Sequence, residues 1–312
     1  MTATKQPLHI VLACDDIFAM PLAAAGASVL RHVSSPERVV FNIIDCGISA
    51  RNIDRIRRSL SRKGATVRVM KFTTPVPTSW LQAGIIPSVA TFARLFVQDY
   101  VTEDVRAVYL DSDTIVCTDI APLVEQLADG MLVGGVSDDP AGGVTAKGLE
   151  RLAKWFPADA EDSPYINAGV MVFDLWAWRS AGLSQRFKEL MADTDAMQFA
   201  DQDAINIVCA GRIQTFEPRW NVQTHHLPSL DGAILDDPNA SPRVIHFTHR
   251  PKPWHGQGDV GMSRPFYEAI DETEWKGWRP TGLRLLVPKL RRGWRLARQR
   301  PTQMLKRLVG KG

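Results

Sequence analysis

Three short apolar runs, separated by segments of helical length, constrain this chain more than any other feature of its sequence. They are residues 8–14 (LHIVLAC), 38–45 (RVVFNIID) and 66–72 (TVRVMKF). Between them lie a small-residue segment at 20–31 and an arginine-rich one at 51–62. Near-continuous apolar runs suit strands buried on both faces, and helical crossovers make such strands parallel. The alternation predicts an α/β fold: a doubly wound, Rossmann-like, mostly parallel sheet flanked by helices. Further strands are expected at 105–111, 131–136 and 166–174, and helices at 88–100, 175–192 and 199–210, with Ser88 as an N-cap. Residues 73–87 read as Pro-rich and irregular, and 221–245 as turn-rich and without assignment. Ligands of such sheets bind beyond the carboxyl ends of the strands, where Asp15 and Asp111 fall.

Composition narrows the class. With 45% hydrophobic and 23% charged residues the chain is neither disordered nor fibrous. It has no apolar run long enough to span a bilayer. Asp15 comes too soon for a secretory signal, so a cytoplasmic location is expected, at least for the start of the chain. The four cysteines, Cys14, Cys46, Cys117 and Cys209, stand singly in apolar surroundings, which suits reduced core thiols.

Four segments could carry chemistry. Asp111-Ser112-Asp113 ends an apolar strand and can aim two carboxylates at a divalent cation. The same spacing recurs at Asp193/Asp195 and Asp201/Asp203, so the motif alone leaves a solvated strand end equally open. Residues 246–255 (HFTHRPKPWH) gather three histidines and two cations. They suit a metal and a diphosphate, or a surface loop with an aromatic anchor. Asn167-Ala168-Gly169, inside an apolar strand, suggests close approach by a ligand, or a bulge with a satisfied amide. Asp201-Gln202-Asp203 opens a helix, where acids also complement the helix dipole.

In order and spacing these segments resemble bacterial glycosyltransferase family 8, retaining sugar transferases that include lipopolysaccharide galactosyl- and glucosyltransferases. The resemblance spans residues 8–255 and is carried by Ala13 to Ala19, Phe92-Ala93-Arg94-Leu95, Tyr109 to Asp113, Asn167 to Val170, Asp201-Gln202-Asp203 and the His246 to Trp254 loop. It implies a GT-A fold over 1–275, a UDP-hexose donor, and Mn2+, with Mg2+ as the alternative, on Asp111, Asp113 and His246. It further implies nucleotide contacts from Ala13, Asp15, Phe18, Ser112, His249 and Lys252. Arg94, Asn167, Ala168, Asp111, Asp201 and Gln202 match the donor-sugar pocket, with Gln202 or Asp201 as the catalytic group at the anomeric carbon. The family usually has Gly at His249 and often Asn at Ile17, departures that bear on nucleotide affinity. Residues 137–143 and the 73–87 loop are expected to flank the acceptor, with Asp138 a candidate contact.

Two other functions fit parts of the pattern: a metal-dependent nucleotidyltransferase, and a non-catalytic membrane-bound UDP-sugar-binding protein. The charge distribution adds a partner. Net charge is +3, yet residues 279–312 hold eleven Lys/Arg and no acid, leaving 26 basic against 34 acidic residues, or −8, in the remainder. Leu285, Leu286, Leu290, Trp294 and Leu296 are interspersed with these cations, interrupted by Pro288 and Pro301. Residues 276–312 are expected to form a basic amphipathic tail. It would lie in the plane of an anionic membrane, on the inner face of the cell membrane, where a glycan or lipid-linked acceptor such as lipopolysaccharide core is met. A solvated extension is the alternative, and nucleic acid is not expected as a partner.

Overall fold

The computed structural model describes residues 6–83, 88–138, 154–157, 160, 163–193, 199–227, 233–237, 239–248, 251–256 and 261–282. Strand β1 (Leu8–Cys14) is buried along its whole length. It is flanked by β2 (Val39–Asp45) and, beyond that, β3 (Thr66–Lys71), all parallel. The connecting helices are α1 (Ala19–His32) and α2 (Ala50–Leu60). The small residues of α1 permit a tight helix contact: a Cβ on Gly26 would lie 2.6 Å from Leu60 Cδ2. Helix α2 starts where Ser49 caps the Asn52 amide.

After α3 (Thr78–Ala83) the chain does not form the single helix expected over 88–100. Ser88 is the cap, but Val89–Phe96 winds as a 3₁₀ segment and only α4 (Val97–Tyr100) is α-helical. A 3₁₀ run of eight residues is unusually long. It brings Thr91 and Arg94 to the end of the sheet. The chain continues through β4 (Arg106–Leu110), β5 (Thr114–Val116), α5 (Ala121–Glu125), β6 (Val133–Ser137) and β7 (Ile166–Asp174). The helix expected at 175–192 is two, α6 (Leu175–Ser180) and α7 (Leu183–Asp193), broken where Gly182 takes φ 64°. Helix α8 (Ala200–Val208) and β8 (Ile213–Phe216) follow.

The large sheet has the order β3-β2-β1-β4-β7-β6-β8, with β7 antiparallel to both neighbours. The turn-rich region hides a second sheet. Strands β9 (Val222–Gln223) and β10 (Val244–His246) join β5 in the order β5-β10-β9, and α9 (Arg264–Ile270) follows. Two apolar cores cover the faces of the large sheet, one containing α1 and the other α7 and α8. Among the described residues no helix is long and apolar enough to cross a membrane. The expected tail lies outside the described residues from 283 onward.

Candidate active site

The carboxyl ends of β1 and β4 open onto a cavity of about 140 Å³ lined by Ala13, Asp15, Phe18, Arg94, Ser112 and Asp113 among others. Asp15 holds its walls together. One carboxylate oxygen accepts from the Ile17 amide at 3.1 Å, and the other accepts from Ser88 Oγ at 3.0 Å. Phe18 stands edge-on to Trp254, with ring centroids 6.2 Å apart, so the segment after β1 and the C-terminal loop meet here. Ser112 Oγ donates to the Ala13 carbonyl at 3.0 Å, which ties the end of β4 to β1. Ile17 points to solvent, 78% exposed. His249 lies outside the described residues.

Beside this cavity the small sheet assembles three candidate ligands. The chain turns at Asp111, whose amide donates to the Gly169 carbonyl at 2.8 Å, and enters β5. Antiparallel pairing then sets His246 opposite Thr114, and the Phe247 amide donates to the Asp113 carbonyl at 2.9 Å. One donor atom each from Asp111, Asp113 and His246 falls within 4.8 Å of the others. His246 Nε2 is 3.3 Å from Asp113 Oδ1 and 3.7 Å from Asp111 Oδ2. Two carboxylates and one imidazole converging on one point form a donor set suited to a divalent cation such as Mn2+. Lys252 Nζ sits 2.5 Å from Asp113 Oδ2 and also donates to the Phe247 carbonyl. Burial opposes ionisation of Asp113, but Lys252 and His246 hold its carboxyl below the usual carboxylate range. The lysine expected on a diphosphate is thus built against a candidate metal ligand.

Gly169 has a steric cause. A Cβ there would lie 2.1 Å from His246 Cε1, so the histidine ring occupies the space that a side chain at this position would need. Gly169→Ala is expected to push the ring off the carboxylates, weakening divalent-cation binding and costing about 1–3 kcal/mol of stability. Calorimetric cation titration and denaturant unfolding check both effects.

Arg94 binds the site together from the 3₁₀ segment. Its guanidinium meets Asp111 at 2.7 and 3.3 Å, donates to the Ala168 carbonyl at 2.6 Å, and meets Asp201 Oδ2 at 3.0 Å. Burial works against the charge, yet Asp111, with Tyr109 and Asp201, raises the Arg94 pKa above its ordinary value. Asp201 is pushed up to about 6, chiefly by burial and further by the charge of Asp111, against the pull of Arg94. A raised folded-state value means that the native protein holds a proton the unfolded chain has already released. Asp201 therefore contributes stability that fades as pH rises from 3.8 towards about 6. Thermal unfolding across that window should show the parent losing stability relative to Asp201→Asn as pH increases.

A second cavity, of about 250 Å³, shares Arg94, Asp111 and Asp113 with the first and is floored by Asn167, Asp201 and Gln202. Gln202 Oε1 accepts from the Ala168 amide and from Asn167 Nδ2, both at 3.1 Å. Its Nε2 donates to Asp138 Oδ2 at 3.0 Å and to Tyr165 Oη at 3.2 Å. Asp138, expected to contact an acceptor, is held by amides: Gln223 Nε2 at 2.7 Å and Asn167 Nδ2 at 3.3 Å besides Gln202. The acid that serves the start of α8 is Asp203, which accepts from the Phe199 amide at 3.0 Å and from Tyr165 Oη at 2.5 Å. Asn221, Gln223 and Tyr165 join the site without having been singled out. Asn221 and Gln223 come from a stretch with no periodicity, and Tyr165 stands just before an expected strand with nothing local to mark it.

The comparisons agree with this geometry. The profile of "Glycosyl transferase family 8" matches residues 9–258. The chain belongs to glycosyltransferase family 8. Its family relatives include probable galacturonosyltransferase-like 10 of Arabidopsis thaliana, 26% identical over 265 residues, 79% of this chain and 71% of that protein. Lipopolysaccharide 1,3-galactosyltransferase of Salmonella typhimurium is 23% identical over 191 residues, 60% of this chain and 55% of its own length. Among solved structures, galactosyltransferase LgtC in complex with donor and acceptor sugar analogs superposes with a TM-score of 0.64 at 24% identity. That match covers 86% of this chain and 96% of that one, and it shows the GT-A-like fold of this family 8 chain.

Proposed function

We propose that the chain transfers a hexose, galactose or glucose, from a UDP-sugar to a hydroxyl of a glycan or lipid-linked acceptor such as lipopolysaccharide core, with retention at the anomeric carbon. The observation that carries this reading is the convergence of Asp111, Asp113 and His246 within 4.8 Å, the two carboxylates lining both cavities and the histidine the second. One cavity, with Asp15 and Phe18, suits the nucleotide, and the other, with Arg94, Asn167, Ala168, Asp201 and Gln202, suits the sugar. The names of the Salmonella relative and of the LgtC complex support a galactosyl donor and a saccharide acceptor.

Asp111, Asp113 and His246 would hold Mn2+, which when bound supplies Lewis-acid stabilisation of the departing diphosphate. Lys252, already fixed beside Asp113, places a second positive charge where negative charge grows as the glycosidic bond breaks. Gln202 lies at the floor of the sugar cavity and offers an amide dipole to the anomeric carbon. Its Oε1 already accepts two hydrogen bonds, which makes it a poor nucleophile and favours same-face attack by the acceptor hydroxyl. Asp201, paired with Arg94, is the alternative nucleophile for a double displacement.

UDP release from a panel of UDP-sugars, with Mn2+, Mg2+ or EDTA, tests the reading. Slow, Mn2+-dependent hydrolysis of one UDP-hexose is expected. Binding of a donor without release, even when acceptors are supplied, would favour the non-catalytic alternative. UTP chemistry with a sugar 1-phosphate would favour a nucleotidyltransferase.

The tail from 276 completes the reading as a membrane-associating segment that keeps the enzyme peripheral on the inner face of the cell membrane. Its first residues lie against the body, where Arg279 pairs with Asp271 at 2.7 Å, and just before the tail Arg55 of α2 stacks over Trp275 at 3.8 Å. The chain therefore leaves beside α2, which also exposes Arg51, Arg57 and Arg58. Deleting 283–312 should release the protein from anionic vesicles while sparing donor hydrolysis, and unchanged vesicle sedimentation would count against the anchor.

A further inference from the structure

The proton on His246 can be located from hydrogen-bond logic alone. A backbone N–H can only donate. The Gly169 amide lies 3.0 Å from Asn167 Oδ1, which fixes that atom as the oxygen. Asn221 Nδ2 lies 2.8 Å from the same oxygen and must donate to it, so the other end of the Asn221 amide is its oxygen. That oxygen is 2.9 Å from His246 Nδ1 and can only accept, which places a proton on Nδ1. In a neutral imidazole Nε2 then carries a lone pair, and it faces the carboxylates of Asp113 and Asp111. Lone pair against carboxylate is repulsive unless a proton or a metal cation lies between them.

We propose that Asn221 is a positioning residue that fixes the Nδ1–H tautomer of His246, its own orientation being set through Asn167 by the Gly169 amide. The relay extends to the sugar cavity. The far side of Asn167 donates to Gln202 Oε1 at 3.1 Å, and the Ala168 amide pins that same oxygen at 3.1 Å. Two backbone amides of one strand, β7, thereby set the orientation of the candidate ligand His246 and of the candidate catalytic amide Gln202. Asn221 and His246 are both buried, at 3% and 4% exposure, so bulk water does not compete for the hydrogen bond between them. Outer partners that orient a ligating histidine are a general requirement of metal sites.

The proposal rests on reading Asp111, Asp113 and His246 as a divalent-cation site, and the experiment separates the two. Mn2+ is titrated into the full chain with UDP present, following the paramagnetic resonance of free Mn2+. Asn221→Ala should weaken Mn2+ binding about 10–100-fold. Asn221→Asp should stay near the parent, because a carboxylate still accepts the Nδ1 proton. A role confined to bonding Asn167 predicts the reverse for Asn221→Asp, which cannot donate to Asn167 Oδ1. Equal loss in both variants therefore overturns the proposal, as does parent-like binding by Asn221→Ala. Should Asn221→Ala not fold, long-range proton–nitrogen spectra of the histidine-labelled parent decide, with His246 assigned by His246→Gln. An Nδ1–H tautomer is expected and an Nε2–H tautomer overturns the relay. A parent that binds no Mn2+ overturns the cation site, whatever tautomer the spectra show.

Discussion

Replacing Asp113 with Asn is expected to reduce Mn2+-dependent sugar transfer at least about 100-fold while leaving the backbone of the site in place. The Asn side chain keeps the shape, and the Phe247 amide still finds the carbonyl of residue 113, so β5 and β10 stay paired. What disappears is a negative charge serving two cations: the metal expected near Oδ1 and the Lys252 ammonium at Oδ2. Mn2+ at about 100 times its Kd should raise parental stability by about 2.7 kcal/mol. That increment should vanish in Asp113→Asn, and comparing thermal unfolding with and without Mn2+ measures it. Full Mn2+-dependent turnover in this variant would remove Asp113 from the metal site.

Arg94→Met should show the largest effect on folding. The guanidinium is the only cation among the described residues that contacts both Asp111 and Asp201. Its removal leaves two carboxylates in a largely dehydrated pocket and frees the Ala168 carbonyl. Breaking a buried pair from one side costs about 3–5 kcal/mol. For a domain of this size each kcal/mol corresponds to about 2–4 °C in Tm. Arg94→Lys should recover only part of the loss, because a point charge cannot reach Asp111 in two places and Asp201 as well. The double variant Arg94→Met/Asp201→Asn should be more stable than the sum of its parts, since each change relieves the strain left by the other. A Tm for Arg94→Met within a degree or two of the parent would show that the network contributes little to stability.

The large sheet was legible because its strands are buried on both faces and its helices have helical lengths. Residues 8–14 and 166–174 come out as strands with the bounds expected. The small sheet was not legible, because strands of two or three residues carry no periodicity. Thr114-Ile115-Val116 and Val244-Ile245 are short apolar runs, but nothing local says that they pair. Their pairing is what brings Asp113 and His246 together. Residue by residue, the family resemblance named the three candidate ligands and the further residues that the fold gathers round the second cavity. It could not show that Lys252 rests on Asp113, or that Asp138 is tied down by three amides. Those facts depend on side-chain packing between segments far apart in sequence. Gly169 illustrates the difference: its smallness was noticed, and its cause became clear only with the His246 ring in view.

The β5–β10 pairing also bears on how the enzyme is made. The contact between Lys252 and Asp113 spans 139 residues, and His246 joins Asp111 and Asp113 across a similar gap. A chain emerging from the ribosome carries every residue that lines the first cavity, 13 to 113, well before the histidine that completes the candidate metal trio has been translated. On the proposed function, such an unfinished chain has the residues for the base but lacks the set that would activate the sugar. Competence for transfer then waits for His246 and the closing of β10 against β5.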